Sequence, residues 1–148
     1  MRNYPEHIEE KLGVDQIRLR IASFCYGPLG KELAETVRFS ASVDKIRLWL
    51  GQVAEWIALL NADHQFPEGH YLDNASALHK LQIEGYYLRE EEFHALRLTL
   101  RTVDGVTRFF HFHQEEFPLL FDLIKDLAPQ RALIQEIEKV IDEEGKIR

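Results

Sequence analysis

One cysteine, Cys25, stands in 148 residues. No internal disulfide can form, which suits a reducing compartment such as the cytosol. No apolar run approaches the ~18 residues that a membrane-spanning helix needs. The opening MRNYPEHIEEKLG lacks the apolar centre of a secretory signal. Basic charge is also short: 18 Lys and Arg face 25 Asp and Glu, for a net charge of −7. Gripping nucleic acid takes a basic surface, so tight DNA or RNA binding by this segment alone is not expected. A larger protein containing it is not bound by that limit. Strand-like alternation, a repeat of fixed period and low-complexity tracts are missing too. What remains is 45% hydrophobic and 29% charged, the profile of a soluble globular protein. The length fits one domain over residues 1–148.

The apolar periodicity is helical almost throughout. Val14, Ile17, Ile21 and Phe24 share one face. Ile46, Trp49, Val53, Trp56 and Leu60 share another, on a helix entered at Ser42 as N-cap with Asp44 in its first turn. The longest helix carries Phe93, Leu96, Leu100, Val103 and Phe110 on one seam, skipping Thr107. Glu90, Glu91 and Glu92 crowd its start, where negative charge favours the helix dipole. Gly105 costs roughly 1 kcal/mol inside a helix, and Asp104-Gly105 also reads as a turn. The unbroken phase from Val103 to Phe110 favours one continuous helix.

Shorter helices complete the pattern. PEHIEEKL opens on Pro5 and stops at Gly13; SALHKLQIE stops at Gly85. FPLLFDLIKDLA is expected to bury Leu120, Leu123, Ile124 and Leu127 before Pro129. QRALIQEIEKVIDEE is expected to bury Leu133, Ile137, Val140 and Ile141 before Gly145. One long irregular stretch runs from about Asp63 to Asn74. The expected fold is all-α, about eight helices around one core, with no β-sheet.

Candidate chemistry is thin. In CYGPLGKE, Cys25 sits at a helix C-terminus, where the dipole disfavours a thiolate. Gly27 and Gly30 are too close for a phosphate loop, and Lys31 is followed by Glu32 rather than a hydroxyl. The plain reading is a turn, with Gly27 in a left-handed cap position and Pro28 opening the next helix. Glu91 and His94 have the i, i+3 spacing of carboxylate-bridged di-iron bundles, but no second copy exists. His111 and His113 do not share a helix face, and His64 and His70 fall in the irregular stretch, so the ligand count is short. Arg97, Arg101 and Arg108 lie on one side of the longest helix. They are the candidate nucleic-acid contacts, weighed against pairing with glutamates of adjacent helices. Trp49 and Trp56 read as core or interface anchors. No catalytic, cofactor-binding or metal-binding residue is assigned.

Several segments, taken in order, resemble the MutS-type ATPases, and most closely the second bacterial MutS paralogue. The opening contains EKLGVDQI, the LGKELA turn and IRLWLGQVAEW; IEGYYLREEEFHALRLTLRTV and IEKVIDEEGKIR follow. Together they span nearly the whole chain. The resemblance implies the helical core domain at the N-terminal end of a longer protein. That protein would continue into lever helices, a dimerising ATPase that binds ATP and Mg²⁺, and a small Smr-type nuclease domain. It also implies action on branched or mismatched DNA that restrains recombination, action on stalled ribosomes and their rRNA, and a cytoplasmic location. The chain itself would be a non-catalytic scaffold passing ATPase movement to the clamp. Two other classes stay open: a metal-dependent helical-bundle enzyme built on Glu91 and His94, and a helical adaptor with an apolar groove lined by Trp49 or Trp56.

Overall fold

A computed structural model describes residues 8–67 and 69–148. The fold is all-α, with eight helices and no strand among the described residues. Among the described residues the one extended pairing is an isolated antiparallel bridge between Ile141 and Ile147. The chain divides into two compact units, Met1–Phe39 and Ser40–Arg148.

The first unit holds α1 (Ile8–Lys11), α2 (Val14–Ser23) and α3 (Pro28–Thr36). Gly13, at φ 70°, separates α1 from α2 as expected; the proposed start at Pro5 lies outside the described residues. The α2–α3 pair buries only alanines, Ala22 and Ala34. The expected seam is not an interior: Ile17, Ile21 and Phe24 are exposed. Small side chains let two short helices approach closely, but they remove little apolar surface from water. Gly27 also departs from expectation. Its backbone is extended (φ −124°, ψ 163°) and it caps the start of α3, with Pro28 in the first helical turn. The chain therefore needs no left-handed residue there, because the cap belongs to the incoming helix rather than the outgoing one. Arg18 ties the unit together, pairing with Glu9 at 2.7 Å and donating from Nε to the Val37 carbonyl at 2.8 Å.

The second unit holds α4 (Val43–Asn61), α5 (Ala75–Lys80), α6 (Glu90–Phe112), α7 (Pro118–Ile124) and α8 (Arg131–Val140). Ser42 caps α4 as expected, accepting the Lys45 N–H at 3.4 Å. Helix α6 runs unbroken through Gly105, with Pro67 beside that glycine. The core joins Leu59 of α4, Phe110 of α6, and Phe117 and Leu120 at the start of α7, with Phe66, Val106, Phe109, Phe121 and Ile124 around them. Each such side chain, fully buried, contributes about 1.5–3 kcal/mol. Phe66, from the irregular stretch, meets Trp56, Phe109 and Phe110 edge-on at 5.2, 5.1 and 5.9 Å.

That stretch is bound down along α6. Thr102 Oγ1 accepts the His70 N–H at 2.8 Å, and Asn74 Nδ2 donates to Thr99 Oγ1 at 2.7 Å. Gly69 lies so close over Thr102 that any Cβ would collide with it. Helix α7 is held by α4. The Glu55 carboxylate accepts the backbone N–H groups of Leu119 and Leu120 at 3.1 and 2.9 Å, which a helix N-terminus would otherwise leave unpartnered.

Several expected core positions lie elsewhere. On α6 the skipped Thr107 is only 1% exposed, and Arg97, Thr102 and Phe110 are buried too. Phe93, Leu96, Leu100 and Val103 are only partly buried. On α8 the buried face is Ile134 and Ile137, continuing to Ile141, while Leu133 and Val140 are exposed. Leu123 and Leu127 are exposed as well, as is the whole Ile46, Trp49, Val53, Trp56, Leu60 face of α4. In each case a neighbour covers only one edge of a wide apolar stripe.

Candidate functional site

Arg97, Arg101 and Arg108 all lie on α6, but they do not act alike. Arg97 is 4% exposed, too buried to meet a phosphate backbone, and its partners are backbone carbonyls rather than glutamate side chains. Its Nη1 donates to the Asp142 carbonyl at 3.0 Å, and its Nη2 to the Glu143 carbonyl at 2.9 Å. It therefore clamps the turn that follows α8. Asp142 builds that turn, accepting the Glu144 and Lys146 N–H groups at 3.0 and 2.9 Å. Those backbone donors, Lys146 first, hold the Asp142 carboxyl below its usual range. Gly145 takes φ 85° there, and any Cβ on it would strike the His94 ring. Only glycine meets both demands.

Arg101 and Arg108 stay at the surface. Arg101 Nε donates to Glu138 of α8 at 2.6 Å. Arg108 pairs with Asp104 at 3.1 Å, and Arg131 of α8 donates to the same carboxylate at 2.6 Å. Between α6 and α8 lies a groove of about 390 Å³ lined by Arg101, Asp104, Arg108, Arg131, Ile134, Gln135 and Glu138. Beside it a second hollow of about 360 Å³ shares Arg108 and Arg131 and adds Thr107, His111 and Pro129. Three guanidiniums against two carboxylates leave the groove one positive charge in excess, inside an acidic chain. Asp104 is only 13% exposed and holds both Arg108 and Arg131. The Arg101–Glu138 pair is the more open one, and an exposed pair, worth only ~0–1 kcal/mol, can exchange its carboxylate for a phosphate at small cost. Arg131 escaped the sequence reading because it lies on a different helix from the other two.

The remaining candidates separate. Glu91 is exposed, and His94 Nδ1 is 3.2 Å from Arg97 Nη2, an arrangement that occupies its lone pair. Cys25 is half-buried, with its thiol 3.5 Å from the Ile21 carbonyl. A Cβ at Gly30 would lie 3.3 Å from Cys25 Cβ, so this glycine serves close packing of α3. His111 stacks edge-on with Phe121 at 5.1 Å. The structure also gathers three residues that no spacing along the chain announces: His64, His113 and Glu116. The hydrogen bonds from His64, and then from His113, hold the Glu116 carboxyl below its usual pKa range.

Comparison with known proteins gives a consistent direction. The chain is 25% identical over 143 residues to an Endonuclease MutS2 from Leuconostoc citreum, covering 93% of this chain and 18% of that protein. Against an Endonuclease MutS2 from a Geobacillus species the identity is 26% over 139 residues, covering 92% and 18%. A Putative endonuclease MutS2 from Bacillus subtilis matches at 26% over 135 residues, covering 89% and 17%. The chain is MutS2-like. It spans less than a fifth of the length of these relatives. No family model matches it, and no solved structure matches it. No helix among the described residues is long and apolar enough to cross a membrane.

Proposed function

We propose that the chain is a scaffold domain, the N-terminal core region of a longer MutS-like ATPase with an endonuclease region. That protein acts on branched or mismatched DNA to restrain recombination, with stalled ribosomes and their rRNA as a second target, and works in the cytoplasm. The observation that carries this reading is the extent of the match. Three proteins named MutS2 endonucleases align over 89–93% of the chain. ATP, Mg²⁺ and the homodimer contacts belong to other parts of the longer protein, and the chain itself is assigned no catalysis.

The fold is suited to bracing. Apolar faces on α2 and α4 are exposed, and more than four-fifths of a MutS2-like protein lies outside these residues. Other helices of the same protein are the natural cover for those faces. Such cover would let movement of the ATPase reach the clamp through packed contacts. The α6–α8 groove adds a modest phosphate-seeking surface through Arg101, Arg108 and Arg131.

The encoding reading frame provides the test. A frame that lacks a downstream Walker A motif sinks the proposal; one that contains it, followed by an Smr-like end, supports it. DNA binding gives a second check. The isolated domain is expected to bind branched DNA weakly and with strong salt dependence. Near-nanomolar binding at ~0.15 M salt would show that the main DNA surface is here rather than elsewhere.

A further inference from the structure

We propose that His64, His113 and Glu116 form a binding site for a divalent transition metal of the zinc class, independent of the scaffold role. The three side chains converge from two places. His64 follows the C-terminal end of α4. His113 closes α6, and its carbonyl accepts the N–H groups of Glu116 and Phe117 at 3.1 and 3.0 Å. That turn sets His113 and Glu116 on the same side.

The donor atoms already sit together. His64 Nε2 is 2.9 and 3.0 Å from the two Glu116 carboxylate oxygens. His113 Nδ1 is 3.1 Å from Glu116 Oε2. One ligand atom from each residue lies within 4.8 Å of the others. Zinc bonds nitrogen and oxygen at ~2.0–2.2 Å, so tetrahedral ligands stand about 3.3–3.5 Å apart. The trio reaches that spacing through side-chain rotation, without moving a helix. As ligands, His64 Nε2 and His113 Nδ1 carry no proton and each ring keeps one on its outer nitrogen, giving two neutral imidazoles and a carboxylate.

The surroundings favour a site over a chance meeting. The two imidazoles lie 4.3 Å apart between centroids. Phe109 packs on His113 at 4.5 Å and on His64 at 6.3 Å, and Phe117 lies 5.9 Å from His64. Rings held this way lose little further freedom when a metal arrives. The histidine side chains are 27% and 15% exposed and that of Glu116 is 48% exposed, so one side opens to water. Three protein ligands and an open position are the pattern of an accessible zinc site. Two imidazoles select zinc, cobalt, nickel or copper over magnesium and calcium, which favour all-oxygen shells. A bound ion would tie the end of α4 to the α6–α7 turn and stabilise the second unit by mass action.

The competing account is a metal-free trio in which Glu116 accepts from both histidines. Titration separates the two. The tag-free protein, stripped with chelator, is titrated with Zn²⁺ by calorimetry, and with Co²⁺ under visible absorbance. The proposal expects one saturable equivalent, tetrahedral cobalt bands and a raised Tm. His64→Gln with His113→Gln should abolish that step, and Glu116→Gln should weaken it at least ~10-fold, the loss that even supporting residues of metal sites produce. The exposed His79→Gln should leave it unchanged. If the double variant unfolds, long-range ¹H–¹⁵N spectra of the wild type decide: Zn²⁺ should move the His64 and His113 ring signals and spare the other imidazoles. Absence of a saturable step, retention of full affinity by a folded double variant, or shifts confined to other histidines overturns the proposal.

Discussion

Glu92 gathers several donors at the start of α6. It accepts the Arg89 N–H at 3.0 Å and the Tyr86 hydroxyl at 3.2 Å, and pairs with the Arg89 guanidinium at 3.4 Å and Lys80 at 3.6 Å. The Arg89 backbone bond, and then its guanidinium, lower the Glu92 carboxyl from 4.5 to about 2. A depressed carboxyl supports the fold fully above pH 4.5 and loses that support as pH falls towards 2. The Tm gap between wild type and Glu92→Gln should therefore shrink across that window; a gap that stays constant would contradict this role. Core and rim residues should also divide sharply. Phe110→Ala is expected to cost ~3–5 kcal/mol through cavity formation, whereas exposed Leu123→Ala should cost under ~0.5 kcal/mol in denaturant unfolding. Leu100, which periodicity places on the seam, is only partly buried and should fall between them. Thr107 and Arg97 were not legible as interior positions, because polar residues enter a core only when a particular neighbour covers them, and periodicity does not name neighbours.

Helix α7 is seven residues long, too short to hold itself in water. Pro118 presets its first turn, and Glu55 reaches across from α4 to its N–H groups. Glu55→Gln should cost about 1–2 kcal/mol by removing a charged acceptor at a helix start; unchanged unfolding would mean that Leu120 packing alone holds α7. The existence of the helices, the Ser42 cap and the continuity of α6 were legible because they depend on local sequence. The face that each helix buries was legible only where the apolar stripe is narrow. On α8, Leu133, Ile134, Ile137, Val140 and Ile141 make a broad stripe, and packing against α6 selects its Ile134–Ile137–Ile141 edge. The His64–His113–Glu116 trio was hidden for the same reason. Its members are 49 and three residues apart in sequence, and only the meeting of two helix ends joins them.

Across the whole molecule, the interior is small for the apolar content of the chain. Helix α4 shows the imbalance best: it buries Leu59 yet exposes Ile46, Leu48, Trp49, Leu50, Val53, Trp56, Ile57 and Leu60. An isolated domain gains nothing from such a face, since exposed apolar area forgoes roughly 25 cal/mol per Å². The arrangement makes physical sense if other helices of a longer MutS2-like protein lie on α4. Both tryptophans of the chain sit on this helix, 48% and 38% exposed at Trp49 and Trp56, so selectively excited tryptophan emission reports on this helix. Acrylamide should quench both strongly in the 148-residue chain. If the proposed scaffold role holds, a longer polypeptide that carries the covering helices and adds no tryptophan near them should show less quenching and emission at shorter wavelength. Equal quenching in both would leave α4 facing water in the longer protein, and its tryptophans would then mark a surface for a separate partner, as an adaptor requires.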